Sequence, residues 1–215
     1  MTAIAIATLT NKCLPVLMAS IHAYVPKDVE VYITGAEYHY TDRKTHCFLD
    51  KPASFGEAYN FIVNKAYENH SEVIVANDDI VLDPSSYSKI LEDVTMLKNT
   101  LLSPLGWVVA KSYRVRPLQN IRNEPEDKIF EVPVVSPLFG YISKRAWIDF
   151  PPINWYSDDI QSLDIGAKGF KHYVSRSYIH HVGSATIGND NRKNHLDAEE
   201  WIKTNRPNLH KAWYK

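Results

Sequence analysis

Apolar and polar positions follow one another in short, regular blocks through the first half of this chain. Residues 3–9 (AIAIATL) are apolar and β-branched, as a buried strand requires, and give way to the polar turn Thr10-Asn11-Lys12. Over 14–24 the apolar positions fall at helical spacing (Leu14, Leu17, Met18, Ile21), and the pattern stops before Pro26. Residues 29–34 (VEVYIT) alternate with period two and predict a second strand. Residues 54–67 predict a helix, with Ser54 at the N-cap and a stripe of Phe55, Ala58, Phe61, Ile62 and Ala66. Residues 72–76 (EVIVA) predict a third strand ending in Asn77-Asp78-Asp79, and a helix capped by Ser85 or Ser86 then runs through Leu97.

Three strand–helix alternations imply a mainly parallel sheet with helices on both faces. Such sheets bind ligands at the carboxyl ends of their strands, where Thr10-Asn11 and Asn77-Asp78-Asp79 fall. The second half changes rhythm. Residues 101–110 and 131–142 are strand-like and flank a charged loop, 114–128, without apolar period; 160–167 predict a helix, 172–175 a short strand and 197–205 a terminal helix. With no repeat, low-complexity tract or linker, the expectation is one α/β domain over 1–215 carrying a mobile middle loop.

Composition narrows the partners. The chain has 215 residues, enough to bury a sizeable core, and 24 basic against 25 acidic residues. A net charge of −1 gives no bulk attraction to polyanions, so binding nucleic acid would need a local patch. Lys111, Arg114, Arg116 and Arg122 could form one, but Glu124, Glu126 and Asp127 offset them. Cys13 and Cys47 have no zinc-type spacing and read as two reduced thiols. The start lacks a signal peptide's basic residues, and no apolar run approaches the ~20 residues of a spanning helix. A soluble, cytoplasmic protein without a transmembrane segment is expected.

Three polar tips could carry chemistry. Asp78 and Asp79 follow a buried strand, so they must reach solvent or neutralise something. They either open a solvated turn or supply the one or two carboxylates with which a hard cation is held beside phosphates. Asp158 and Asp159 lie between Trp155-Tyr156 and a helix start, where they either cap the helix or place a partly desolvated general base. His180 and His181 lie on a strand, so at most one can face a given site; a surface or hydrogen-bonded role suits them as well.

In order and spacing these segments resemble the GT-A glycosyltransferases, family 2 and its relatives in particular, over about four fifths of the chain. Thr8-Leu9-Thr10-Asn11 is similar to the family's opening strand and nucleoside-contacting turn, and Phe55 to Asn60 with Ala66 to its Gly-Phe-x-x-Ala-x-Asn helix. Asn77-Asp78-Asp79 stands where the Asp-x-Asp motif belongs, Phe139 to Arg145 where a strand and basic turn precede the acceptor side, and Asp158-Asp159 where a Glu-Asp pair supplies the base. Gly169-Phe170-Lys171 and His180-His181-x-Gly-Ser resemble the closing run. Asn77 replaces the motif's first Asp, Gln161 stands where a further acid is common, and the second strand lacks the Asp that often reads the base.

The resemblance implies a GT-A, Rossmann-like fold with a nucleotide-sugar half at about 1–100 and an acceptor or catalytic half at about 101–215. It implies Mn²⁺ or Mg²⁺ on Asp79 and His180. Thr8, Asn11, Asn60, Asn77, Asp78 and Gly140 would lie along the nucleotide sugar, a UDP-sugar above all. Asp159 would be the catalytic base with Asp158 beside it, and the reaction an inverting transfer. The acceptor hydroxyl stays open: a glycan, a small molecule or modified phage-type DNA. A compact chain of this kind resembles virus-encoded members, whose location would be the host cytoplasm, or minimal bacterial ones. The alternatives are a nucleotidyltransferase-like enzyme, although no glycine-rich phosphate loop occurs, and a non-catalytic nucleotide-sugar or carbohydrate-binding module.

Overall fold

The computed structural model describes residues 2–10, 12–38, 43–50, 52–100, 104–183 and 192–214. In chain order the elements are β1 (Thr2–Ala7), α1 (Leu14–Tyr24), β2 (Val31–Thr34), β3 (Thr45–Phe48), α2 (Phe55–Ala66), β4 (Glu72–Asn77), β5 (Ile80–Leu82) and α3 (Ser86–Thr100). There follow β6 (Leu105–Lys111), a 3-10 turn (Pro117–Gln119), β7 (Phe130–Val132), β8 (Phe139–Ser143), α4 (Ser157–Ala167), β9 (Lys171–His181), α5 (Arg192–Asn205) and α6 (Pro207–Trp213). The strands form a sheet of order β3-β2-β1-β4-β8-β6-β9-β5, with β7 pairing β9. The first four run parallel, β8 enters antiparallel between β4 and β6, and β6 and β9 are parallel again. The sheet is therefore mixed but mainly parallel, in a single α/β domain.

Both faces are covered, which explains the unbroken apolar run of the first strand. Ile4 and Ile6 of β1 point into a core with Leu17, Met18 and Ile21 of α1 and Ile90, Val94 and Leu97 of α3. Ala3 and Ala5 point the other way, towards Tyr59, Ile62 and Val63 of α2, Ile165 of α4 and the wholly buried Trp107. The Trp107 indole donates to Gln161 Oε1 at 3.0 Å, so the glutamine that stands where an acid is common serves as a core hydrogen-bond partner. Cys13 and Cys47 are not bridged. No helix among the described residues is long and apolar enough to cross a membrane.

The second half departs from its predicted elements for identifiable reasons. The strand expected over 131–142 is two strands, β7 and β8, because Pro133 and Pro137 cannot join a ladder. The short strand expected over 172–175 is instead the eleven-residue β9. Its first part pairs β6, and after a register shift its end, Ile179 to His181, pairs β5. The middle loop, expected to be mobile, is anchored at its start. Gln119 is fully buried, donates to Ser136 O at 3.0 Å and accepts from Ser136 N–H at 2.6 Å, while Ser112 N–H bonds Gln119 O.

One glycine fixes the carboxyl edge. Gly35, just past β2, has φ +90°, and a Cβ there would lie 2.0 Å from the Thr8 carbonyl oxygen. Only glycine lets the ends of β1 and β2 approach so closely. Gly35→Ala should cost about 3 kcal/mol from backbone strain and overpacking together, lowering the melting midpoint by roughly 10 °C. A thermal melt within about 2 °C of the wild type would refute this account of the edge.

Candidate active site

The site is built at the carboxyl edge, where β1 and β4 end side by side with Ala7 opposite Asn77. The next residues along each chain, Thr8 and Asp78, therefore meet, and the Thr8 hydroxyl donates to Asp78 Oδ2. Asp78 and Asp79 form the turn between β4 and β5, and each is nearly buried, at 6% and 7% exposure. Tyr59, reaching up from α2, is hydrogen-bonded through its hydroxyl to Asn77 Oδ1 at 2.9 Å and Ala76 O at 3.0 Å. Burial and then the charges of Asp78 and Asp79 hold the Tyr59 hydroxyl well above its ordinary range. The same three influences, in the same order, raise the Cys13 thiol, so the corner is strongly negative.

The imidazole that reaches this corner is that of His181, not His180. Pairing of β5 with β9 sets Ile80 opposite His181, and alternation along β9 turns His181 to the side of buried Ile179 while leaving His180 exposed. His181 Nε2 lies 3.2 Å from Asp79 Oδ2, and its Nδ1 meets the Arg114 carbonyl oxygen. Burial lowers the His181 pKa, but the Asp79 hydrogen bond and the Arg114 carbonyl outweigh it and the net shift is upward. The ring is held by its second nitrogen, the arrangement that orients a ligating histidine. Neighbouring ligand atoms on an octahedral ion with bonds of about 2.1 Å stand about 3 Å apart, so Asp79 Oδ2 and His181 Nε2 could share one ion. Among the described residues no group of three or more His, Cys, Asp or Glu side chains is arranged to hold a metal. Water or phosphate oxygens would have to complete the shell.

The second acid pair opens α4. Tyr156, the residue before the helix, sits in the left-handed region at φ 61°, the only non-glycine with positive φ among the described residues. Strain of this kind persists where surrounding packing over-determines it, and here Tyr156 packs on His195 and Trp213. Arg116, from the anchored loop, forks onto the pair: Nη2 donates to Asp158 Oδ2 at 2.9 Å and Nη1 to Asp159 Oδ1 at 3.0 Å. Its Nε donates to Ser136 Oγ at 2.8 Å, and that hydroxyl donates to Asp158 Oδ2 at 3.0 Å. Burial pushes the Asp158 carboxyl up, to about 6; Arg116 opposes the shift and Asp159 reinforces it.

Two residues expected along the donor have packing roles instead. Asn60 spends both amide atoms on the Phe150 backbone, accepting from its N–H at 2.7 Å and donating to its carbonyl at 2.8 Å. Gly140 is buried in mid-sheet, where a Cβ would meet Val109 at 3.0 Å and Trp107 at 3.2 Å, so its missing side chain makes room for the core. Asn11 lies outside the described residues. Tyr59, Arg116 and Ser136 were not among the expected site residues, Arg116 having stood out only as one charge of a basic patch. Tyr59 lies on the buried face of α2 but off the stripe expected from the sequence, and the other two come from irregular segments with no period to assign them a direction.

No family model matches the chain, and no curated protein matches its sequence. Its structure does have neighbours. TarS of S. aureus, residues 1–349, superposes with a TM-score of 0.60 at 14% identity, over 94% of this chain and 64% of that one. The same protein in complex with UDP gives 0.59 at 14% identity, over 94% and 64%, and in complex with UDP-GlcNAc 0.58 at 15%, over 86% and 61%. The fold is GT-A, Rossmann-like. At this identity the likeness concerns the fold alone, and the chain spans less than two thirds of the TarS segment it matches.

Proposed function

We propose that this protein is a metal-dependent, inverting glycosyltransferase that moves a sugar from a UDP-sugar to an acceptor hydroxyl. The observation that carries the reading is that one short segment touches both polar groups: the Arg114 carbonyl meets His181 beside Asp79, and Arg116 forks onto Asp158 and Asp159. Binding of UDP and UDP-GlcNAc by a protein of the same fold supports the choice of donor. Asp79 and His181 would hold Mn²⁺ or Mg²⁺, which when bound supplies positive charge to the departing diphosphate. Thr8, Asn77 and Asp78 line the same corner and would face the donor. Asp159 takes the acceptor proton while the acceptor oxygen bonds to the anomeric carbon and the bond to the diphosphate oxygen breaks, so the configuration inverts.

A panel of nucleotide sugars tests this by thermal shift, with Mn²⁺ and with EDTA. A UDP-sugar at about a hundred times its dissociation constant adds about 2.7 kcal/mol to stability. The midpoint should therefore rise by roughly 5–10 °C with Mn²⁺ and fall back with EDTA. Absence of any shift across the panel, with or without Mn²⁺, would overturn the reading.

A further inference from the structure

Asp158 and Asp159 differ sharply in how their oxygens are used. Asp158 Oδ1 accepts from the Asp159 backbone N–H at 3.1 Å, and its Oδ2 accepts from both Arg116 and Ser136. Both its oxygens are engaged. The Asp159 carboxylate accepts from Arg116 alone among the described residues, at 3.0 Å through Nη1 and 3.4 Å through Nη2; its side chain is 25% exposed against 22% for Asp158, so the pattern of hydrogen bonds, not exposure, separates the two. Arg116 can make this fork because its backbone is fixed on both sides: Arg114 at His181 and Val182, and Gln119 in the core. A guanidinium presents donors in a rigid plane, so it sets the direction of a carboxylate as well as its charge.

We propose that Arg116 is a positioning residue for the transfer: its fork holds Asp158 and Asp159 side by side and leaves the open edge of Asp159 as the surface that receives the acceptor hydroxyl. The kinetic part rests on the glycosyltransferase reading; the electrostatic part does not. Arg116 from the loop and the two acids of α4 are the charged groups that meet here, with the Ser136 hydroxyl completing the set. Without the guanidinium, two adjacent, partly buried carboxylates face each other with no counter-charge from the loop. They then take up one proton between them at a higher pH, because an opposite charge at this range lowers a carboxyl pKa by about 1–3 units.

Two measurements on the full chain test this. The first is a ¹³C-carboxyl NMR titration of the wild type, Arg116→Gln and Arg116→Lys, with Asp158→Asn and Asp159→Asn to assign the signals. It needs no donor or acceptor. The expected result for Arg116→Gln is an upward move of the first midpoint of the pair by about 1–2 pH units, with Arg116→Lys staying within about half a unit of the wild type. The second is the pH profile of kcat/KM. The acidic limb of Arg116→Gln should move up by the same amount, so that below the limb the rate falls about ten- to a hundredfold under the wild type and recovers at high pH. Arg116→Lys should keep the limb in place but lower kcat, since it restores charge without the fork. Unmoved midpoints in Arg116→Gln overturn the proposal, and so does a loss of rate that is uniform across pH. If Arg116→Gln does not fold, Arg116→Lys decides: wild-type kcat in that variant overturns the fork. A wild type that transfers no sugar removes the enzyme reading but leaves the titration standing as its own test.

Discussion

Asp159→Asn should lower transfer by about 10²–10⁴-fold while leaving UDP-sugar binding within a few-fold of the wild type. The amide keeps the shape of the side chain, and its oxygen can still accept from Arg116, so the start of α4 loses one charge and little packing. It cannot take a proton at any accessible pH, and the acceptor oxygen would have to attack before shedding its own. The change should therefore fall on kcat, with donor affinity untouched, the signature of an interaction made in the transition state. Asp158→Asn is the informative contrast. Asp158 is saturated by Arg116, Ser136 and the Asp159 N–H, so its replacement should disturb alignment and cost less than the Asp159 change. Equal donor affinity with a rate near that of the wild type in Asp159→Asn would remove Asp159 as the base.

The first hundred residues were legible because period decides them. The helix expected at 14–24 is α1, and the one expected at 54–67 is α2 with its Ser54 side chain accepting from Glu57 N–H. The two strands missed there, β3 and β5, are four and three residues long, too short to show a period. After residue 100 long-range pairing takes over from local pattern. The sequence of β9 shows apolar or aromatic positions at 173, 174, 178 and 179 among polar ones, and only its two partners, β6 and then β5, make it one strand.

The same distinction divides the site. Acids placed at the end of an apolar strand or the start of a helix could be located from sequence, because the element positions them. Which histidine meets Asp79 could not, because that depends on the register of β5 against β9, where a shift of one residue exchanges His180 for His181. Arg116 was visible only as one charge among several in a loop. Its role comes from Gln119, which tethers the segment through a buried side chain that composition would have assigned to the surface.

Asp79→Ala should abolish the Mn²⁺-dependent part of donor binding, and with it most of the transfer. The carboxylate is nearly buried beside His181, so the truncation removes one of the two protein groups proposed to hold the ion and leaves the imidazole alone with the Arg114 carbonyl. Loss of a cation that stabilises the leaving diphosphate is worth several kcal/mol in the transition state, which corresponds to a fall of roughly 10³-fold or more in kcat/KM. Stability should move the other way or hardly at all. The truncation gives up one hydrogen bond to His181 but also relieves the like-charge repulsion between Asp79 and its neighbour Asp78. His181→Ala should weaken Mn²⁺ dependence in the same direction, whereas His180→Ala, on the exposed side of β9, should leave it unchanged. Isothermal titration of UDP with each variant, with and without Mn²⁺, separates these outcomes. A UDP affinity in Asp79→Ala that still rises with Mn²⁺ as in the wild type would move the ion away from this corner, and the same result for His181→Ala alone would leave Asp79 as the anchoring group.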